Sequence, residues 1–137
     1  MSTRTFALIF GIVFLAAGVL GFVPGMTHMP PDPGHNVTMT QGYGNLLGLL
    51  PVNMLHNIVH ALFGLWGLAA SRSTGGAVFY ARSVAIIYAV LAVLGLIEAT
   101  ETTFGLIPIY GNDVVFHAIL VVIAAYFGFV NKNAPAI

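Results

Sequence analysis

Asn53-Met54-Leu55-His56-Asn57-Ile58-Val59-His60 is the densest polar stretch of an otherwise apolar chain, and Asn112-Asp113-Val114-Val115-Phe116-His117 echoes it later. His56 and His60 are four apart, so any helix carrying them presents both on one face, with Asn53 and Asn57 close by; Asp113 and His117 repeat the spacing. Imidazole and carboxylate are the usual ligands of Zn, Fe and Mn, imidazole also suits Cu, and a His pair at this spacing can hold one ion from a single helical turn. His56, His60 and His117, with Asp113 or Glu98 supplying a carboxylate, therefore form a candidate divalent metal site. A carboxylate outside the ligand set would accept the second N–H of a ligand histidine and fix its tautomer. The stretch lacks the glutamate of an HExxH motif and offers no nucleophile, so it names no reaction.

Other readings of the same residues stand beside this one. A structural lock would pair His56 with Glu98, and His117 with Asn57 or Asp113, tying helices across apolar seams. A haem would take His56 or His60 opposite His117 as axial ligands. Four short helices with bulky side chains leave little room for a macrocycle, and nearby carboxylates suit it poorly, so haem ranks below a simple ion. A quinone or proton-relay contact is the remaining alternative.

Whatever the chemistry, the elements carrying it are membrane helices. Only 6% of the 137 residues are charged and 58% are hydrophobic, with a mean hydropathy of +0.96; a soluble domain carries roughly a quarter charged residues. The lipid bilayer is thus the first partner, and scattered basic residues with no net charge exclude nucleic acid. There is no cysteine, hence no disulfide framework and no thiolate ligand. The apolar runs predict one integral membrane domain over 1–137, an all-α, four-transmembrane-helix bundle with helices at about 6–23, 52–70, 80–103 and 114–130 and an outer loop at 24–50. Arg4 precedes the first run as in a signal peptide, but no small-residue cleavage site follows, so a retained helix is expected. Pro51 suits the first turn of the second helix, and Asn112 or Asp113 suits the N-cap of the fourth.

At 1.5 Å per residue, His56 falls roughly 8 Å below Pro51, His117 about 6 Å below Asp113, and Glu98 about 8 Å below Thr103. Three helices would then deliver ionisable groups to one depth in the outer half of the bundle. Small residues recur at packing distances in Ala17/Gly21, Ala85/Ala89, Gly95/Ala99 and Ala124/Gly128.

Arg4, Arg72, Arg82 and Lys132 all fall on one side of four spans, whereas Asp32, Glu98, Glu101 and Asp113 lie toward the other. The positive-inside rule makes both termini cytoplasmic. The outer loop carries Met26, His28, Met29, His35 and Met39, a composition that suits copper, although a Pro/Gly lid is the simpler expectation. Leu46 to Leu50 suggests a short interfacial or re-entrant piece. Tyr80 and Tyr110 suggest interface anchors, Trp66 an anchor or packing residue, and Glu101 a boundary charge of little chemical promise.

The block from Gly48-Leu49-Leu50-Pro51-Val52-Asn53 through His60, followed by Gly64-Leu65-Trp66-Gly67-Leu68, resembles the signature of an uncharacterised family of small four-helix bacterial membrane proteins, a domain of unknown function common in actinobacteria and cyanobacteria. Phe22-Val23-Pro24-Gly25 and Gly105-Leu106-Ile107-Pro108 with Asn112, Asp113 and His117 resemble its other blocks; Glu98 fits less clearly. The resemblance implies the fold, the topology and a bacterial inner membrane, and no activity. Two function classes follow: a metal-binding bundle, or a non-enzymatic accessory subunit of a larger membrane complex or homo-oligomer.

Overall fold

The computed structural model describes residues 1–28 and 33–131. Four apolar helices form a bundle: α1 (Thr3–Leu20), α2 (Met54–Ala70), α3 (Thr74–Gly95) and α4 (Asn112–Ala125), the last running on as a π-helical turn, Tyr126–Val130. Side-chain caps set three of the starts. Ser2 accepts from Thr5 N–H, Asn53 from His56 N–H, and Ser73 from Gly76 N–H, each meeting a backbone donor that the first turn leaves unpaired. The Ser73 cap begins α3 six residues before the position that hydropathy selects, because Gly75 and Gly76 dilute the apolar signal without stopping the helix. The expected Asn112 or Asp113 cap on α4 is not formed; Gly111 at φ 65° turns the chain in, and both polar residues lie within the first turn.

The third helix also ends early, at Gly95 rather than near Thr103. Hydroxyls in Thr100-Glu101-Thr102-Thr103 take over the backbone bonding: Thr100 Oγ1 donates to Leu94 O at 2.8 Å, Gly105 N–H donates to Thr102 Oγ1 at 3.1 Å, and Ile107 N–H to Thr103 Oγ1 at 2.8 Å. Such local bonds compete with a helix ladder. Thr103, Phe104 and Gly105 then all adopt positive φ, doubling the chain back toward α4.

The long loop is not a featureless lid. Thr27–His28 (β1), Gly44–Leu46 (β2) and Leu50–Val52 (β3) make a small antiparallel sheet in the order β1-β2-β3. Leu46–Leu50, expected as an interfacial piece, is a tight hairpin with Leu47 and Gly48 at positive φ. Pro51 pairs with Asn45 in β3 instead of opening α2.

Large apolar side chains cover the outside of the bundle, among them Ile12 on α1, Leu62 and Leu65 on α2, Phe79 and Ile86 on α3, and Ile119 and Val122 on α4. Thr3–Leu20, Thr74–Gly95 and Asn112–Val130 are long and apolar enough to cross a membrane; α2 is apolar with 17 residues, about 26 Å of helix. Inside, Phe6, Phe14, Tyr80, Tyr88 and Phe127 form an aromatic core. Tyr80, expected as an interface anchor, is fully buried and donates to Phe63 O at 3.1 Å. Tyr110 is buried too, its hydroxyl 2.6 Å from that of Tyr43. Trp66 packs between Phe63, Phe79 and Tyr80.

The tightest seam joins α1 to α2. A Cβ on Gly64 would meet the backbone of Leu15, and one on Gly67 would come within 2.8 Å of Gly11 Cα. At the far end of the bundle from the sheet, Arg4 donates to Ser71 O at 2.7 Å, Arg82 to Gly128 O at 2.8 Å, and Asn131 to Met1 O at 3.3 Å. Lys132 and Asp32 lie outside the described residues.

Gly64→Ala must push α1 off α2 and is expected to cost about 2 kcal/mol or more. Gly75→Ala, on a helix with open space around it, should be neutral or stabilising by up to about 1 kcal/mol. Thermal unfolding of both variants in one detergent checks the contrast.

Candidate metal centre

Asn53, fully buried, sets the position of the site. Its Oδ1 accepts from His56 N–H at 2.9 Å and starts α2, while Nδ2 donates to Met39 O at 3.0 Å and Leu106 O at 2.8 Å. One side chain thus joins the helix start to both loops that roof it. The second loop is pinned further by Thr38 N–H and Met39 N–H, which both donate to Gly105 O, at 2.8 and 3.0 Å. Since α2 begins at Met54, His56 lies in its first turn, where the backbone carbonyls of Pro51 and Pro108 face its ring.

Asp113 and His117 reach the same place from the start of α4. One ligand atom each from His56, Asp113 and His117 lies within 4.8 Å of the others, and His56 Nε2 stands 3.7 Å from Asp113 Oδ2. Ligands held at ~2.1 Å from one ion are about 3.4 Å apart in a tetrahedron, so closure on an ion needs shifts on the order of 1 Å. All three residues are buried, at 3%, 2% and 3% exposure. An acidic side chain in the first turn of α4 also has the favourable sign for that helix dipole.

The hydrogen bonding decides what kind of cluster this is. His56 Nδ1, His60 Nδ1, His117 Nδ1 and Asp113 Oδ2 are buried with no hydrogen-bond partner in the protein, as are both amide atoms of Asn57. Each such atom costs about 1–3 kcal/mol if left unpaired. The one polar contact between cluster side chains, His56 Nε2 to Asp113 Oδ2, is at 3.7 Å an ion-pair distance too long for a hydrogen bond. No arginine answers Asp113 among the described residues: Arg4 and Arg82 are bonded at the opposite end, and Arg72 follows the last turn of α2. A buried His/His/Asp cluster of this kind is capable of coordinating a divalent metal ion.

His60 lies one turn deeper on α2, its ring centroid 4.3 Å from that of His56. Tyr88 sets its edge against His117 with centroids 4.8 Å apart. His60, Asp113 and His117 line a cavity of about 120 Å³. That is smaller than the several hundred Å³ of sites for drug-sized molecules, and the volume does not admit a porphyrin.

Glu98 is not brought to the cluster. With α3 ending at Gly95, it is exposed in the following turns and borders a groove with Thr38 and Gly105. Among the described residues, the loop residues expected to suit copper are not gathered either. His28 is exposed on β1, Met39 contributes its backbone carbonyl to Asn53, and Met29 lies outside the described residues. His35 stacks on Tyr110 at 3.5 Å, with Nδ1 2.6 Å from Glu101 Oε1. That contact gives Glu101 a tethering role that its position in the sequence does not announce.

The chain belongs to the family described as a domain of unknown function (DUF4383), which it matches over residues 4–130. No curated protein and no solved structure matches it.

Asn53→Ala removes a helix cap and leaves two loop carbonyls without their donor, an expected loss of about 3–5 kcal/mol. Asn53→Asp keeps the cap acceptor but not the two donations. Both variants should show faster proteolysis within residues 33–43, with only Asn53→Ala also fraying the start of α2 in hydrogen exchange.

Proposed function

We propose that this protein is a multi-pass protein of the bacterial inner membrane, with both termini cytoplasmic, that holds a first-row divalent metal ion between His56, His117 and Asp113 in the outer half of its bundle. The observation that carries the reading is the convergence of buried ligand atoms from His56, Asp113 and His117, within 4.8 Å of one another, from the first two turns of two helices. A divalent cation would use those atoms and supply the charge that Asp113 lacks. Two imidazoles and one carboxylate form the donor set of non-haem Fe(II) sites, and three protein ligands with an open position suit Zn(II) equally. The soft thiolate and thioether ligands that select Cu(I) are missing from this set. His60 would stand beside the ion, and Glu98 has no part in holding it. The arginines at the end opposite the cluster support the cytoplasmic assignment of the termini.

Protein purified in detergent without chelator should carry metal by elemental analysis. His56→Ala, His117→Ala and Asp113→Asn should each lower occupancy by at least ~10-fold, His60→Ala by less, and His28→Ala, His35→Ala and Glu98→Gln not at all. Equal losses across the whole set would defeat the assignment. Because the chain has no cysteine, the topology is open to single-cysteine labelling. Arg72→Cys should resist, and Asn36→Cys accept, a membrane-impermeant thiol reagent added outside intact cells.

A further inference from the structure

The cavity beside the cluster opens sideways, out of the bundle. Helix α1 packs along α2 and α4 along α3, while α1 meets the last helix through the π-helical turn at the other end. Between the sheet-proximal halves of α1 and α4 a cleft is left, with Val13 and Phe116 at its rim, 52% and 46% exposed on the apolar outer surface. Leu50 of β3 lines its sheet-proximal end. Its lining is overwhelmingly apolar, and His60, His117 and Asp113 on the inner wall, each at most 6% exposed, give it a narrow polar edge. An apolar passage with a narrow polar edge, open toward the lipid-facing side, fits a molecule dissolved in hydrocarbon far better than one arriving from water.

Three features narrow the class. The volume, about 120 Å³, approaches the ~150 Å³ cavity that takes up benzene, so it fits one six-membered ring. Phe14 and Phe116 are among the walls, and aromatic side chains pack rings with favourable edge and offset geometry. The narrow polar edge comes from two imidazole side chains, whose nitrogens donate or accept according to tautomer, and one carboxyl group. A hydroxyl both donates and accepts, whereas a carbonyl or ether oxygen only accepts.

We infer that the cleft between α1 and α4 is a binding site for a lipid-soluble phenol, a single hydroxylated ring that enters from the bilayer with its hydroxyl against His60, His117 and Asp113 and its apolar tail left in the lipid. The inference rests on the reading of the cluster as a ligand site and deepens it by naming the substrate class, but it does not depend on which ion is held. The hydroxyl can bond to the His60 nitrogen with the other two side chains engaged elsewhere.

The test is the partition of labelled 4-octylphenol between lipid nanodiscs containing the protein and empty ones, with metal content counted on the same samples. Saturable uptake, one molecule per chain, weakened at least ~10-fold for the methyl ether 4-octylanisole, is the expected result. Ala17→Phe, which fills the cleft without touching the polar wall, should abolish that uptake and leave metal occupancy intact; His60→Leu should erase the preference for phenol over ether. Equal uptake of phenol and ether would reduce the cleft to a slot for any acyl chain and overturn the proposal. So would the absence of saturable uptake, or a Val13→Cys/Phe116→Cys cross-link between two copies showing that a second chain covers the cleft. Loss of metal with phenol uptake retained would count against the metal reading alone.

Discussion

Asn53 uses both ends of its side-chain amide in one place: the carbonyl oxygen caps α2, and the amide nitrogen holds Met39 O from one loop and Leu106 O from the other. The strength of this junction comes from where it sits. Buried backbone groups in an apolar bundle have no water to fall back on, so each must be matched inside the protein. Three separate segments meet their need through one amide. Joining them fixes the first turn of α2 beneath the carbonyls of Pro51 and Pro108, which sets the depth of His56 and leads the chain into α4, where Asp113 and His117 follow.

The same constraint gives the cluster its meaning. Most of the structure obeys it closely: hydroxyls of the 100–107 segment close their own turns, arginines bond to helix-end carbonyls, and Tyr80 finds Phe63 O. Unpaired atoms remain on Thr27 and Asn45 by the sheet and on Asn57, and with them on three histidines and one aspartate of the cluster region. At about 1–3 kcal/mol apiece they would consume much of a stability that for a domain totals roughly 5–15 kcal/mol. Two histidines and an aspartate brought together in this way from two helices are organised to hold something at that point.

Much of this was legible in the sequence because lipid enforces simple rules. Apolar runs marked all four helices, and the i, i+4 spacings on α2 and α4 pointed His56, Asp113 and His117 toward one site. Where the sequence misled, local hydrogen bonding outcompeted hydropathy. Pro51 looked like a helix start but pairs in β3, because Asn53 is the better cap. The run to Thr103 looked helical, but threonine hydroxyls unwind it after Gly95, and Glu98, whose expected depth was counted along that helix, ends outside. The small-residue pairs chosen from spacing overlooked Gly11, Gly64 and Gly67, whose importance comes from how closely α1 approaches α2 and not from their own periodicity. The His35–Glu101 contact joins residues far apart in the chain, and no local pattern announces it.

X-ray absorption at the K edge of the metal that purifies with the protein addresses the ion and its ligands together. The account predicts a first shell of nitrogen and oxygen near ~2.0–2.2 Å with the outer-shell scattering of two imidazoles, lost when Asp113 and His117 are replaced. A shell of oxygen alone, or an imidazole signal that survives those replacements, would place the ion elsewhere and contradict the central claim.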